Sequence, residues 1–108
     1  MAKKKLPKPE KLGNGRIRVG RYIFSAHFFR RWRDRHYERS SDEKIALEAY
    51  EMLLKSHLIH LDQSGGETRL FNGTLFIVRG NTVITTMNSW QYHRLHKTDY
   101  YLENKEKI

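Results

Sequence analysis

Three residues in the N-terminal half of the chain have the types and the spacing of a phosphate site. His27, Arg31 and Arg35 recur every four residues, so on a helix they form a row along one face. A guanidinium holds phosphate through a planar pair of N–H donors, and an imidazole exchanges protons near neutral pH. RNA carries its own nucleophile, the 2′-hydroxyl, so its cleavage needs an acid, a base and charge stabilisation but no metal. The row therefore predicts phosphodiester chemistry or simple contact with a nucleic acid.

A less chemical interpretation of the row stays open. Arginines on an exposed helix commonly form a solvated face, and a histidine next to aromatic residues usually packs. Phe28, Phe29 and Trp32 lie beside the row and are expected to anchor the helix to a sheet. Contact with nucleic acid requires only the charge of this helix, whereas catalysis also requires the side chains to converge.

The positive charge is concentrated in the first third of the chain. The net charge is +9, and residues 1–39 hold 13 basic and 3 acidic side chains. Such a surface attracts a polyanion because bound counterions are released. Nucleic acid is therefore the leading partner, with RNA favoured over DNA. Besides the row, the residues expected to bind it are Lys3, Lys4, Lys5, Arg30, Arg33 and Arg39.

Two helices are predicted by caps and apolar spacing. Ser25 is suited to cap a helix over residues 26–38, and Tyr37 is expected to extend its apolar stripe. A capping box precedes a second amphipathic helix over residues 41–56. Both helices would come before the main sheet.

The pattern of residues 57–87 predicts a β-meander. Asn72-Gly73 and Gly80-Asn81 are two-residue turns between runs of β-forming residues. We therefore expect an α+β fold in which two N-terminal helices pack on one face of a roughly four-stranded antiparallel meander sheet. On the last strand, alternation places Thr85 on the same face as Val83 and Met87. Its hydroxyl would reach a phosphate if the strand faces the first helix, although threonine is also simply a good strand former.

The domain organisation follows from composition. Residues 1–15 contain both prolines and five lysines, which favours a flexible basic arm. Residues 16–90 form a single α+β domain, which begins with a short strand or extended segment over residues 16–24. Residues 91–108 form a C-terminal tail that fits either a short helix or an extra strand.

Several classes of function are not expected. The chain has no cysteine, which excludes disulfides, thiolate zinc ligands and a thiol nucleophile. No metal site or cofactor is predicted, since no convincing ligand set or phosphate-binding glycine loop is present. No apolar run is long enough to span a bilayer, so we expect a cytoplasmic protein without a membrane partner.

The order of these parts resembles the RelE/BrnT-type group of small bacterial and phage proteins, within the superfamily of microbial ribonuclease toxins. The resemblance covers residues 20–88 and rests on Ser25-x-His27-x-x-x-Arg31-x-x-x-Arg35 and on Val83-Ile84-Thr85. It implies a metal-independent endoribonuclease, with His27 as acid/base, Arg31 and Arg35 as phosphate or transition-state binders, and Thr85 as a polar residue of the last strand. It also implies a small antitoxin or inhibitor protein as a partner.

Three functions fit the sequence, and the first of them is narrowly favoured over the two alternatives. The first is the endoribonuclease, and the second is a non-catalytic basic nucleic-acid-binding protein of a phage or mobile element. The third is a small protein-interaction module, suggested by Trp90, Tyr92, Tyr100 and Tyr101 near the C-terminus.

Overall fold

A seven-stranded mixed sheet with two helices on one face makes up residues 6–88, the part of the chain that the computed structural model describes. The helices α1 and α2 follow one another between the third and fourth strands, and the strand order across the sheet is β1-β2-β3-β7-β6-β5-β4. The elements are β1 (Glu10–Gly13), β2 (Arg16–Val19), β3 (Tyr22–Phe24), α1 (Ala26–His36), α2 (Asp42–Lys55), β4 (His57–Leu61), β5 (Gly66–Phe71), β6 (Thr74–Arg79) and β7 (Thr82–Asn88).

The fold is α+β, but the predicted four-stranded antiparallel meander is wrong. Strands β4 to β7 do run as an antiparallel meander, and β1 to β3 extend it beyond β7. Strand β3 pairs with β7 in parallel, with Ile23 opposite Thr82 and Phe24 opposite Val83. Parallel neighbours need a long connection. Here that connection contains both helices and three strands, so a sequence-local pattern does not reveal the pair.

Tight turns explain the N-terminal strands that the sequence pattern missed. Gly13-Asn14-Gly15 has φ angles of 90°, 56° and 75°, a left-handed conformation open to glycine and tolerated by asparagine. Gly20, with a φ of 58°, reverses the chain again, and a Cβ there would lie 2.8 Å from a ring atom of Tyr50. Residues 10–13 of the predicted arm therefore form β1, and the segment 16–24 is two strands rather than one.

Both helices are fixed by side-chain caps at their first turns. The hydroxyl of Ser25 accepts from the backbone N–H of Phe28 at 3.0 Å, and that of Ser41 accepts from Lys44 at 3.2 Å. Helix α1 ends at His36, two residues earlier than predicted, because the next residue, Tyr37, turns into the left-handed conformation.

The core lies between the helices and one face of the sheet. Cross-strand partners share a face, and the registers that join Ile17 to Phe24, Phe24 to Val83 and Val83 to Val78 place these four side chains together. Helix α1 contributes Phe28, Phe29 and Trp32, and helix α2 contributes Ile45, Ala46, Ala49 and Leu53. The inner face of α1 is thus held by aromatic packing, which fixes the direction of its other faces.

Two predicted parts fall outside the described residues. They are the lysines Lys3, Lys4 and Lys5 of the arm and the tail over residues 91–108. Among residues 6–88, no helix is long and apolar enough to cross a membrane. The same residues contain no group of three or more histidine, aspartate or glutamate side chains placed to hold a metal ion.

Candidate nucleic-acid interface

The arginines of α1 divide between an exposed face and two flanks. A helix turns by about 100° per residue, so Arg30 lies opposite the buried Phe28 and Trp32, and Arg31 lies between Arg30 and Arg35 on the wheel. We call the residues His27, Arg30, Arg31 and Asp34 the outer face of α1, and all four are exposed. Arg33 and Arg35 lie on opposite flanks of the same helix.

Arg33 links the end of α1 to the start of α2. Its Nη2 donates to the carbonyl oxygen of Ser40 at 2.7 Å, and its Nη1 lies 2.6 Å from the carboxylate of Asp42. The guanidinium was a predicted phosphate contact. In the structure it is engaged in holding the two helices together.

Arg35 lies against the sheet on the other flank. Its Nε donates to the carbonyl oxygen of Thr86 at 3.3 Å. Strand β3 pairs only with Thr82 and Val83 of β7, and beyond that point the hydroxyl of Ser25 donates to the carbonyl oxygen of Ile84 at 2.8 Å. Ser25 and Arg35, at the two ends of the α1 region, thus donate hydrogen bonds to backbone carbonyl oxygens of β7 at positions where β3 no longer pairs with it.

Arg31 and Arg35 lie close enough to repel one another. Burial lowers the pKa of Arg35, the charge of Arg31 lowers it further, and Asp34 acts in the opposite direction. An arginine nevertheless stays protonated in a protein. The structure therefore brings together the two guanidiniums that the spacing predicted as neighbours, and a bound anion would relieve their repulsion.

His27 lies in the first turn of α1, on the outer face. Its side chain is exposed and makes no hydrogen bond, ion pair or ring contact with any other described residue. It is one helical turn from Arg31, as the sequence predicted. The imidazole is therefore accessible, but nothing in the described part of the chain orients it.

Thr85 does not join this row. Strand β7 contains a bulge at Ile84, where Val83 pairs with Val78 and Thr85 pairs with Ile77. Because Val78 faces the helices and Ile77 alternates with it, Thr85 points to the face of the sheet away from α1. A bulge has no clear signature in this run of β-forming residues, so the sequence offered no means of finding the shift.

A pocket of about 460 Å³ lies elsewhere, between the β1–β2 turn and the start of α2. Its charged lining is largely paired internally, with Lys11 at 3.3 Å from Glu43 and Arg33 bound to Asp42. Of the predicted site residues that lie within residues 6–88, only Arg33 lines it. The described residues of the outer face of α1 do not line this pocket and are exposed to solvent.

The residues just after α1 add a feature that the sequence interpretation placed wrongly. Tyr37 was expected to extend the apolar stripe, but the helix ends before it and its side chain is 90% exposed. Arg39, a predicted contact, is also exposed and makes no ion pair within residues 6–88. The sequence signal that could have identified Tyr37 as an exposed residue is its position directly after the basic last turn of α1.

Comparison with models of protein families, with curated proteins and with solved structures finds no match for this chain. The resemblance to RelE/BrnT-type proteins therefore stays a prediction that rests on short motifs. Function has to be inferred from the charges and the exposure of the described residues.

Proposed function

We propose that this protein binds nucleic acid through the outer face of α1. One observation carries the proposal. The side chains of Arg30 and Arg31 are exposed and make no hydrogen bond or ion pair with any other described residue, whereas the guanidiniums of Arg33 and Arg35 donate to backbone carbonyl oxygens. An unengaged guanidinium has its whole fork of donors free for a phosphate oxygen pair.

The distribution of charge along the chain supports binding on the α1 side of the protein. Residues 40–66, which include α2, hold 5 acidic and 2 basic side chains, in contrast to the basic first third. A polyanion is steered toward the positive side and away from the negative one. Arg39 and the arm lysines Lys3, Lys4 and Lys5 would add sequence-independent phosphate contacts to those of the outer face.

RNA cleavage is a second candidate function, favoured by the exposure of His27 one turn from Arg31. In this proposal the imidazole removes the proton of a 2′-hydroxyl, whose oxygen attacks the adjacent phosphorus. The bond to the 5′-oxygen breaks and that oxygen takes up a proton from water, which leaves a 2′,3′-cyclic phosphate and a 5′-hydroxyl. Arg31, with Arg35 beside it, would stabilise the charge that builds on the phosphate oxygens. An antitoxin of the kind that the resemblance implies would cover this same face.

Binding is tested by fluorescence anisotropy of labelled RNA and DNA oligonucleotides across a salt series. Each phosphate contact contributes about −0.7 to −0.9 to the slope of log K against log salt, so two or more predict about −1.4 or steeper. Absence of binding at low salt, or binding that ignores salt, would refute the proposal.

Cleavage is tested separately on the same protein. Labelled RNA and an all-deoxy strand of the same sequence are incubated in the presence of a chelator. The proposal predicts cyclic-phosphate products from RNA alone and their loss in His27→Ala. Intact RNA after incubation with the wild type would refute cleavage and leave binding untouched.

A further inference from the structure

Tyr37 combines high exposure with a constrained backbone. Its side chain is 90% exposed and makes no hydrogen bond or ring contact with any other described residue. Its φ and ψ are 50° and 35°, a left-handed conformation that glycine adopts freely and bulky residues rarely do. Neither core packing nor ordinary helix termination accounts for an aromatic residue at this position.

The segment that carries Tyr37 is fixed on both sides. The backbone N–H of Tyr37 donates to the carbonyl oxygen of Arg33 at 2.9 Å, and the indole N–H of Trp32 donates to Glu38 at 2.9 Å. Two residues further on, the carbonyl oxygen of Ser40 accepts from Arg33 at 2.7 Å. The ring is therefore presented on a pre-ordered backbone, which reduces the entropy lost when a partner binds.

The exposed residues of this segment alternate with engaged ones. Tyr37 and Arg39 are exposed, while Glu38 and Ser40 are half-buried and turned toward Trp32 and Arg33. The exposed ring of Tyr37 offers a surface on which a base can stack. Two residues further on, the exposed guanidinium of Arg39 offers hydrogen-bond donors to a phosphate. This pair is the chemistry that recognises unpaired nucleotides, because a base in a duplex already stacks on its neighbours.

We infer that Tyr37 is a stacking platform for an unpaired base, with Arg39 and the outer face of α1 holding the adjoining phosphates. The nucleic acid recognised is therefore single-stranded. This inference rests on the proposed function and narrows its substrate class. The hydrogen bond from the indole of Trp32 keeps the carboxylate of Glu38 directed toward Trp32 and away from the bound nucleic acid.

The test compares Tyr37→Asn with Tyr37→Phe in the full chain. Asparagine tolerates the left-handed conformation and removes the ring, whereas phenylalanine keeps the ring. Anisotropy is measured with a single-stranded oligonucleotide, a duplex of equal length and an abasic strand with the same phosphates. Thermal unfolding followed by circular dichroism checks that both variants fold.

The expected result is a loss of single-strand affinity of roughly five- to 150-fold in Tyr37→Asn, the range for one stacked base. Tyr37→Phe should bind like the wild type, and duplex and abasic strands should not distinguish the three proteins. An unchanged single-strand affinity in Tyr37→Asn, or an equal loss for the abasic strand, overturns the inference while the proposed function stands. If the wild type binds none of the three ligands, the proposed function itself is wrong.

Discussion

Arg35 donates a hydrogen bond from Nε to the backbone carbonyl oxygen of Thr86, across 3.3 Å. This contact joins the last turn of α1 to the edge of β7 that β3 leaves unpaired. Ser25 does the same for Ile84 at the other end of the helix. Helix α1 is therefore held on the sheet at both ends, and its outer face has a fixed direction toward solvent.

Replacing Arg35 tests this structural role. Arg35→Ala should lower the free energy of unfolding by about 1 kcal/mol, because a half-buried charged donor and its carbonyl acceptor are separated. Arg31→Ala is the matched control, since that side chain makes no hydrogen bond or ion pair with any other residue of 6–88, and it should change stability by less than about 0.5 kcal/mol. Urea unfolding measures both. Equal effects would mean that the bond between Arg35 and Thr86 contributes nothing.

The two cap serines provide a second comparison. Ser25 both caps α1 and donates to Ile84, whereas Ser41 only caps α2. Ser25→Ala should cost about 2 kcal/mol and Ser41→Ala about 1 kcal/mol, the difference being one hydrogen bond between helix and sheet. The ranking is measured by denaturant unfolding, and a larger loss in Ser41→Ala would contradict it.

Glycine at position 37 should stabilise the protein. The left-handed backbone of Tyr37 is strained, and Tyr37→Gly relieves it, with a gain of up to about 1 kcal/mol. In Arg30→Gly, an exposed position inside α1, the same residue type should instead cost about 1 kcal/mol. Melting temperatures report both changes. A fall in the melting temperature of Tyr37→Gly would show that the ring has a structural contact.

The pH dependence of stability includes a contribution from His36. This side chain is exposed as a whole, but one ring face covers Trp32, with 4.1 Å between ring centroids. Burial of that face is the main reason why the pKa of His36 lies below its ordinary value. Arg35 acts in the same direction, and Glu38 and Glu48 oppose it.

Because the folded pKa is depressed, the unfolded chain takes up the proton first as the pH falls. The stabilisation is therefore complete above the ordinary histidine value of about 6.5 and is lost progressively below it. His36→Gln should flatten the slope of stability against pH between the two pKa values, as measured by urea unfolding at a series of pH values. Parallel wild-type and variant curves would count against this assignment.

The parts of the fold that the sequence predicted are those with local signals. Ser25 as a cap, the apolar spacing of both helices and the Asn72-Gly73 turn each act over a few residues. The closeness of Arg31 to Arg35 was also predicted from helical spacing alone. The conformation of such features is determined mainly by interactions between residues that are close in sequence.

The remaining parts depend on contacts between distant residues. The parallel pairing of Phe24 with Val83 has no local signature, so the sequence pattern did not join the N-terminal strands to the sheet, and residues 10–13 were assigned to the arm. The bulge at Ile84 then reversed the face on which Thr85 lies. The flanking roles of Arg33 and Arg35 required the positions of Asp42 and Thr86, which only the folded chain supplies.

The most direct measurement of the central claim is the salt dependence of binding in two double variants with the same loss of charge. Arg30→Ala with Arg31→Ala removes the unengaged arginines of α1, and Lys44→Ala with Lys55→Ala removes two exposed lysines of α2. The first pair should weaken binding and reduce the magnitude of the slope of log K against log salt by about 1.4 to 1.8, while the second should leave that slope close to the wild-type value. Equal changes in both pairs would show that only the net charge attracts nucleic acid and that the outer face of α1 is not the binding surface.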